Sequence, residues 1–482
     1  MSSKVQVSEI VQHRNPEDVW IVVNGKVYDM TRFAPLHPGG SEGQISVIYR
    51  YGGRDASKEY NQIHGPSLIQ KSLTLDCHVG ILDESSINDE WSANLSDGEP
   101  HTAAVEESSL GDVINLFDFE AIAQRNLSEK SWAVISGASN DSITREANLS
   151  LLRSIMLRPK VLRNVRTART KTRLFGCDLD LPIYIAPMGG AKHGGPEGEL
   201  AMARGAASSG IIHCISTPTS FLHEEILEVT PKHAFFQLYV DKERHKSQQA
   251  IQNATKTKKI KAIFVTVDLP VVSKREADER IKPEGPAGQK DRKGGGFARQ
   301  ASSFIDSTFS WEDLRWLRSI TDLPIVVKGI QCASDAVIAM QMGCDGIVLS
   351  NHGGRAADTA PPGILTLLEL HKNCPEVLGK MEVLVDGGFR RGSDIVKAIC
   401  LGASAVGIGR PFMYALHYGA EGIEHAVEII KDEIETAMRL CGMTDLMRDA
   451  HPDYVNTAAI DHLVPGMEHS YARKVVRSTP KL

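Results

Sequence analysis

Gly346-Ile347-Val348-Leu349-Ser350-Asn351-His352-Gly353-Gly354-Arg355 decides the fold of most of this chain. Its first four residues are a short apolar run, as in a strand buried on both faces; the next six are polar or small, as in a loop at that strand's end. The pattern recurs at Ile183-Tyr184-Ile185-Ala186, Ile211-Ile212-His213-Cys214-Ile215, Phe235-Phe236-Gln237-Leu238-Tyr239 and Ile263-Phe264-Val265-Thr266-Val267-Asp268. It recurs again at Ile325-Val326-Val327-Lys328, Val383-Leu384-Val385-Asp386 and Ala405-Val406-Gly407-Ile408. Helical stretches separate these runs. Eight strands alternating with helices from about Asn115 onward predict an α/β fold, a (β/α)8 TIM barrel whose strand ends converge on one mouth. Gln237, Tyr239, Thr266, Asp268, Lys328, His352 and Asp386 then surround one ligand.

The loop after the sixth strand puts a base beside a fixed cation. A neutral imidazole at His352 takes a proton from a substrate carbon or hydroxyl, and the Arg355 guanidinium clamps a carboxylate bidentately. Gly353 and Gly354 let backbone approach a flat ligand. A polar turn after a buried strand is the alternative, but it accounts for one such strand end and not for a ring of them. The last two strands add Asp386-Gly387-Gly388-Phe389-Arg390-Arg391-Gly392 and Gly407-Ile408-Gly409-Arg410-Pro411. Loops at these positions of a barrel bind phosphate through glycine amides and arginines.

The chain has 482 residues and a net charge of −6, enough for more than one domain and without the basic bias of a nucleic-acid binder. Its eight cysteines are scattered without C-x-x-C spacing, which predicts reduced cysteines and neither zinc nor disulfides. No apolar run approaches the roughly 20 residues that span a bilayer. Asp83 to Asp112 is rich in Ser, Asp, Glu and Asn and has no Lys or Arg, the composition of a solvated linker with Trp91 and Leu95 as docking candidates. The predicted division is 1–83, a linker over 84–112, and a barrel over 113–482.

Ahead of the linker, Trp20-Ile21-Val22-Val23 and Lys26-Val27-Tyr28-Asp29 are joined by Asn24-Gly25, a hairpin signal in a small α+β domain. Leu36-His37-Pro38-Gly39-Gly40 fixes a tight turn that directs His37 outward, and His64 follows the helical stretch from Ala56 to Ile63. Two neutral imidazoles from opposing short helices can ligate a haem iron axially. Two surface histidines beside turns are the alternative, and His78 competes with His64 for the second ligand.

Trp20, Val27-Tyr28-Asp29, His37-Pro38-Gly39-Gly40 and Val79-Gly80-Ile81-Leu82 resemble the cytochrome b5 haem-binding domain, which implies haem b on His37 and His64. The His37 to His64 interval is longer than that family usually shows, with Ile45 to Arg50 in the enlarged region. Residues 115–482 resemble the FMN-dependent α-hydroxy acid dehydrogenase and oxidase family. The segments that carry this are Pro196-Glu197-Gly198-Glu199, Phe236-Gln237-Leu238-Tyr239-Val240, Thr266-Val267-Asp268, Arg275-Glu276-Ala277-Asp278, Val327-Lys328-Gly329, Ser350 to Arg355 and Val385-Asp386-Gly387-Gly388. Together the two modules resemble flavocytochromes of the L-lactate dehydrogenase (cytochrome) type.

That resemblance implies that His352 accepts the substrate proton, Asp268 stabilises the imidazolium by raising its pKa, and Arg355 binds the carboxylate. It implies a second cation from Arg275, a hydroxyl toward substrate from Tyr239, and Lys328 beside the flavin N1 and O2, stabilising negative charge there. FMN is then held by Ala186, Ser216, Gln237, Thr266, Lys328, Asp386, Arg390, Gly409 and Arg410. The implied partners are a 2-hydroxy acid, cytochrome c or another one-electron acceptor, and further copies of the chain in a homotetramer.

One departure stands out. The family usually carries Tyr-Tyr before its Ser-Gly-Ala segment, the first tyrosine binding the substrate carboxylate, whereas this chain has Trp132-Ala133-Val134-Ile135-Ser136-Gly137. A lost hydrogen bond to a charged group is worth about 1.5–3 kcal/mol, or roughly ten- to a hundredfold in affinity. The leading reading is a haem- and FMN-containing 2-hydroxy acid dehydrogenase. An FMN oxidase, a dehydrogenase of a different hydroxy compound, and a haem electron carrier with a non-catalytic barrel are the alternatives. A haem module that starts within the first few residues leaves no room for a transit peptide, which predicts a cytoplasmic enzyme. The ending Pro480-Lys481-Leu482, near Ser-Lys-Leu, gives a peroxisomal address as the alternative.

Overall fold

Eight parallel strands close on themselves in the computed structural model, which describes residues 3–37, 47–88, 91, 108–281 and 304–466. They are β1 (Ile183–Ile185), β2 (Ile212–Ile215), β3 (Ala234–Leu238), β4 (Ile260–Thr266), β5 (Ile325–Ile330), β6 (Gly346–Leu349), β7 (Glu382–Asp386) and β8 (Ala405–Ile408). β8 returns to β1 with Val406 beside Ile183 and Ile408 beside Ile185. Every strand expected from the sequence is present, and Ala186, Tyr239 and Asp268 lie just past their strand ends.

Alternation along these strands gives the barrel two apolar surfaces. Tyr184, Cys214, Phe235, Phe264, Val326 and Leu384 fill the interior, with the Phe235 and Phe264 rings stacked at 5.1 Å. Neighbours one residue away, such as Ile183, Phe236, Val265, Val327 and Leu349, face the helical ring. Both faces are buried, which is why each strand reads as an unbroken apolar run. The interior is a packed core, so ligands are confined to the loops at the strand ends.

The outer ring includes the helix Gly419–Cys441, packed on Gly198–Ser208 and Gly392–Cys400. Before the barrel, Leu116–Asn126 starts with a capping box, in which Asn115 accepts from the Asp118 amide and Asp118 accepts from the Asn115 amide. Ile143–Ser154 runs past the mouth. No helix among the described residues is long and apolar enough to cross a membrane. All eight cysteines are free.

The N-terminal module is a separate sheet. Lys4–Val5 pairs with His78–Leu82, which pairs with Lys26–Asp29, which pairs with Asp18–Val23. Asn24 and Gly25 both take positive φ, 51° and 73°, the two-residue turn that their sequence signals. Ile21, Val23 and Tyr28 pack on one face; Val22 and Val27 join Val5, Ile10 and Leu82 on the other. Trp91 is 4% exposed and completes this second cluster, so the linker does dock through its tryptophan. Pro38, Gly39, Gly40, Leu95 and Pro480-Lys481-Leu482 lie outside the described residues.

Candidate active site

His352 sits in the loop after β6 with φ of 60°, a left-handed conformation that few side chains adopt and that aims its ring into the mouth. Its Nδ1 is 2.9 Å from Asp268 Oδ1 and its Nε2 is 3.2 Å from the Tyr239 hydroxyl. The Ser350 hydroxyl accepts from the His352 amide at 3.0 Å. Burial depresses the His352 pKa, and the attraction of Asp268 offsets only part of this. Asp268 does raise the His352 pKa, as expected, while burial sets the net direction. Desolvation of this largely buried ring outweighs a single carboxylate. Asp268 is itself wholly buried: burial pushes its pKa up, but His352 and Lys328 outweigh burial and hold it below the ordinary value.

Cations converge on the same space. Arg355 donates through Nη1 to the carbonyls of Ile135 and Gly137, at 3.2 and 2.7 Å. Arg410 donates to the same two carbonyls at 3.1 and 2.9 Å and to Gly353 O at 2.9 Å. Arg275 is buried, and its Nε has no hydrogen-bond partner among the described residues. Burial, then Arg275 and Arg410, push the Arg355 pKa well down and Asp278 offsets only part of this, so a carboxylate entering here meets a cluster of cations. Val134, the departure from the family tyrosine, is 8% exposed and precedes the carbonyl that both arginines grip.

Around the mouth, Ser216 Oγ donates to Gln237 Oε1 and Gln237 Nε2 donates to Thr266 Oγ1, both at 3.0 Å. Lys328 Nζ lies 3.5 Å from Asp386 Oδ2 and 3.1 Å from Ser350 Oγ. Burial alone pulls the Lys328 pKa down, but Asp386, Asp268 and Tyr239 overcome it and hold the ammonium charged. Ala186 is anchored by its amide to Ile408 O at 2.9 Å. Arg390 pairs with Glu120 at 3.3 Å.

These residues fit a flavin mononucleotide by what they leave unsatisfied. Asp386 Oδ1, Arg390 Nε and Asp268 Oδ2 are buried without a hydrogen-bond partner among the described residues. Each such group costs about 1–3 kcal/mol until something pairs with it. A Cβ at Gly409 would meet nothing closer than Met188 Sδ at 3.6 Å, so the loop after β8 has room. Arg410 donates to the carbonyls of Ile135, Gly137 and Gly353, and these bonds leave other guanidinium N–H groups for the phosphate clamp expected of it. Two of the loop glycines also lie against a helix. A Cβ on Gly354 would lie 2.8 Å from the Arg145 amide nitrogen, and one on Gly388 would lie 2.3 Å from Asn148 O. They allow the close approach of Ile143–Ser154.

In the N-terminal module the His37 and His64 rings face each other with centroids 6.2 Å apart and planes at 88°. Two imidazoles bonded at about 2 Å to one metal place their centroids roughly 6 Å apart, so this pair fits an axially ligated haem iron. Burial, then His37 and Lys192, lowers the His64 pKa to about 4, which keeps the ring neutral. His78 instead begins a strand and packs edge-on to Tyr28 at 5.5 Å.

Three residues that matter were not legible as site residues. Glu120 accepts from both Arg145 and Arg390. Asn148 and Asn351 exchange amide hydrogen bonds at 3.0 and 2.9 Å, and Asn351 also accepts from the Gly354 amide. This pair spans 203 positions and fixes the loop that carries His352.

Comparison with known proteins agrees with this geometry. The FMN-dependent dehydrogenase family matches residues 123–457, and the cytochrome b5-like Heme/Steroid binding domain matches residues 6–83. L-lactate dehydrogenase (cytochrome) of Saccharomyces cerevisiae is 36% identical over 99% of this chain and 84% of its own. The protein of the same name from Wickerhamomyces anomalus is 38% identical over 94% and 80%. A solved flavocytochrome b2 structure superposes with a TM-score of 0.68 at 36% identity, covering 78% of this chain and 96% of that one. The chain belongs to the FMN-dependent dehydrogenase family and carries a cytochrome b5-like haem domain ahead of its barrel.

Proposed function

We propose that the protein oxidises a lactate-like 2-hydroxy acid to the 2-keto acid and passes the electrons one at a time through haem b to cytochrome c or a similar acceptor. The observation that carries this reading is the line Asp268, His352, Tyr239 set beside the arginine cluster. Arg355 and Arg275 hold the substrate carboxylate, and the Tyr239 hydroxyl faces the substrate. The neutral His352 Nε2 takes up the substrate proton, and Asp268 steadies the imidazolium through Nδ1. Bound FMN supplies the two-electron acceptor. Ala186, Ser216, Gln237, Thr266, Lys328, Asp386, Arg390, Gly409 and Arg410 would hold it, and Lys328 gives a buried positive charge at the cofactor's edge. His37 and His64 hold the haem iron.

Val134 favours a second reading of the substrate alone. A valine there in place of a tyrosine, with Ile135 beside it, admits a 2-hydroxy acid with a larger apolar side chain. Turnover of a series from glycolate to aryl 2-hydroxy acids, read with cytochrome c and with oxygen, tests both readings. Reduction of cytochrome c supports the proposal, and turnover with oxygen alone contradicts it. The same reading has a homotetramer, checked by light scattering, and a cytosolic protein with the peroxisome as alternative. Imaging an N-terminal fluorescent fusion checks the location.

A further inference from the structure

The haem-binding module touches the barrel at a small set of polar contacts that no part of the chemistry above uses. The Lys192 ammonium donates to the His64 carbonyl at 2.8 Å and to the Asn61 carbonyl. The Gly65 amide donates to Ser220 O at 2.6 Å. Ser67 and Lys71 both reach Glu225. Gly65 also lies flat on Phe221: a Cβ there would come within 2.6 Å of the ring. Behind the contact, Glu199 is wholly buried, and one carboxylate oxygen accepts from the Ala191 and Ser220 amides, both at 3.0 Å. One side chain therefore ties together the two barrel loops, 188–194 and 217–222, that grip the His64-Gly65 turn.

We propose that these two loops are a docking clamp for the haem module, in which Lys192 and Gly65 are positioning residues that set how fast electrons pass from the barrel to the haem. Lys192 holds the carbonyl of His64 itself, so the clamp acts on the backbone of a residue placed at the iron. A cation on the last carbonyls of Ser57–Ile63 is also the favourable partner for that helix end. Gly65 fixes the distance, because a larger residue would lift the module off Phe221. Glu199 keeps the loops in register, and Lys71 with Glu225, partly exposed at 3.7 Å, adds little.

The inference rests on the haem being the electron acceptor. The test uses the full-length protein loaded with FMN and haem, comparing Lys192→Met, Lys192→Arg and Gly65→Val with wild type. In Lys192→Met and Gly65→Val, flavin bleaching by a 2-hydroxy acid and the haem absorption spectrum stay as in wild type. Haem reduction slows about tenfold or more, the equivalent of one charge-assisted hydrogen bond. Amide hydrogen exchange over residues 64–69 speeds up by a similar factor, and Lys192→Arg restores both. Haem reduction and exchange within twofold of wild type in both variants would overturn the clamp, and so would loss of the haem spectrum in Lys192→Met. If wild type itself fails to reduce its haem, the functional reading fails, while the exchange comparison still decides whether the clamp exists.

Discussion

His352 Nδ1 lies 2.9 Å from Oδ1 of Asp268, a carboxylate with no exposed surface, across 84 positions of sequence. This contact fixes the tautomer that leaves Nε2 able to accept a proton, and it opposes the burial that drives the ring toward neutrality. The balance gives the first prediction. Because His352 is depressed below its ordinary pKa of 6.5, kcat/KM stays on its plateau through neutral pH and falls only in more acid solution. Asp268→Asn removes the carboxylate that raises the histidine, so the acid limb moves to lower pH while the plateau drops about a hundredfold. A pH profile of kcat/KM for both proteins checks this, and an acid limb that moves upward would contradict it.

Haem attachment follows the facing rings of His37 and His64. His37→Ala is expected to lose haem and cytochrome c reduction while keeping a folded barrel with yellow FMN. Absorption spectroscopy of the purified variant decides this, and an unchanged six-coordinate haem spectrum would remove His37 from the iron.

Val134→Tyr restores the hydroxyl that the family usually places beside the substrate carboxylate. Capture of glycolate and lactate is expected to improve about ten- to a hundredfold, the value of a hydrogen bond to a charged group. The KM for each acid is the readout. An unchanged or raised KM would show that this pocket is built for a different side chain.

His213 supplies a stability prediction. It is fully enclosed on β2, neither ring nitrogen has a partner among the described residues, and burial drops its pKa to about 3. A histidine whose folded pKa is depressed lends no penalty above its unfolded value of 6.5, and it costs stability as pH falls from there toward the folded value. The slope is about 1.4 kcal/mol per pH unit in that window. His213→Leu is therefore expected to flatten the acid side of the stability curve, measured as urea midpoints between pH 7 and 5. Parallel curves for the two proteins would contradict it.

Much of this was legible in the chain because barrel strands are buried on both faces, so β4 and β6 read as apolar runs whose polar ends mark the mouth. The Asn24-Gly25 hairpin was legible for a different reason: its conformation rests on local residue chemistry. The Asn148 to Asn351 pair was not, since its meaning lies in a contact between two distant segments. Gly354 and Gly388 carried a signal for close approach without saying what approaches, and it is a helix. The net pKa of His352 depends on how far the fold buries the ring, which no spacing rule contains.

The most direct measurement mixes the oxidised protein with a 2-hydroxy acid without oxygen and follows flavin and haem absorbance together, in wild type and in His352→Gln. Wild type is expected to bleach its flavin first and then reduce its haem, whereas the variant keeps its FMN and slows bleaching by about 10²–10⁴, the worth of a general base. Bleaching of His352→Gln at a rate near wild type, or wild-type bleaching that never reaches the haem, would contradict the account.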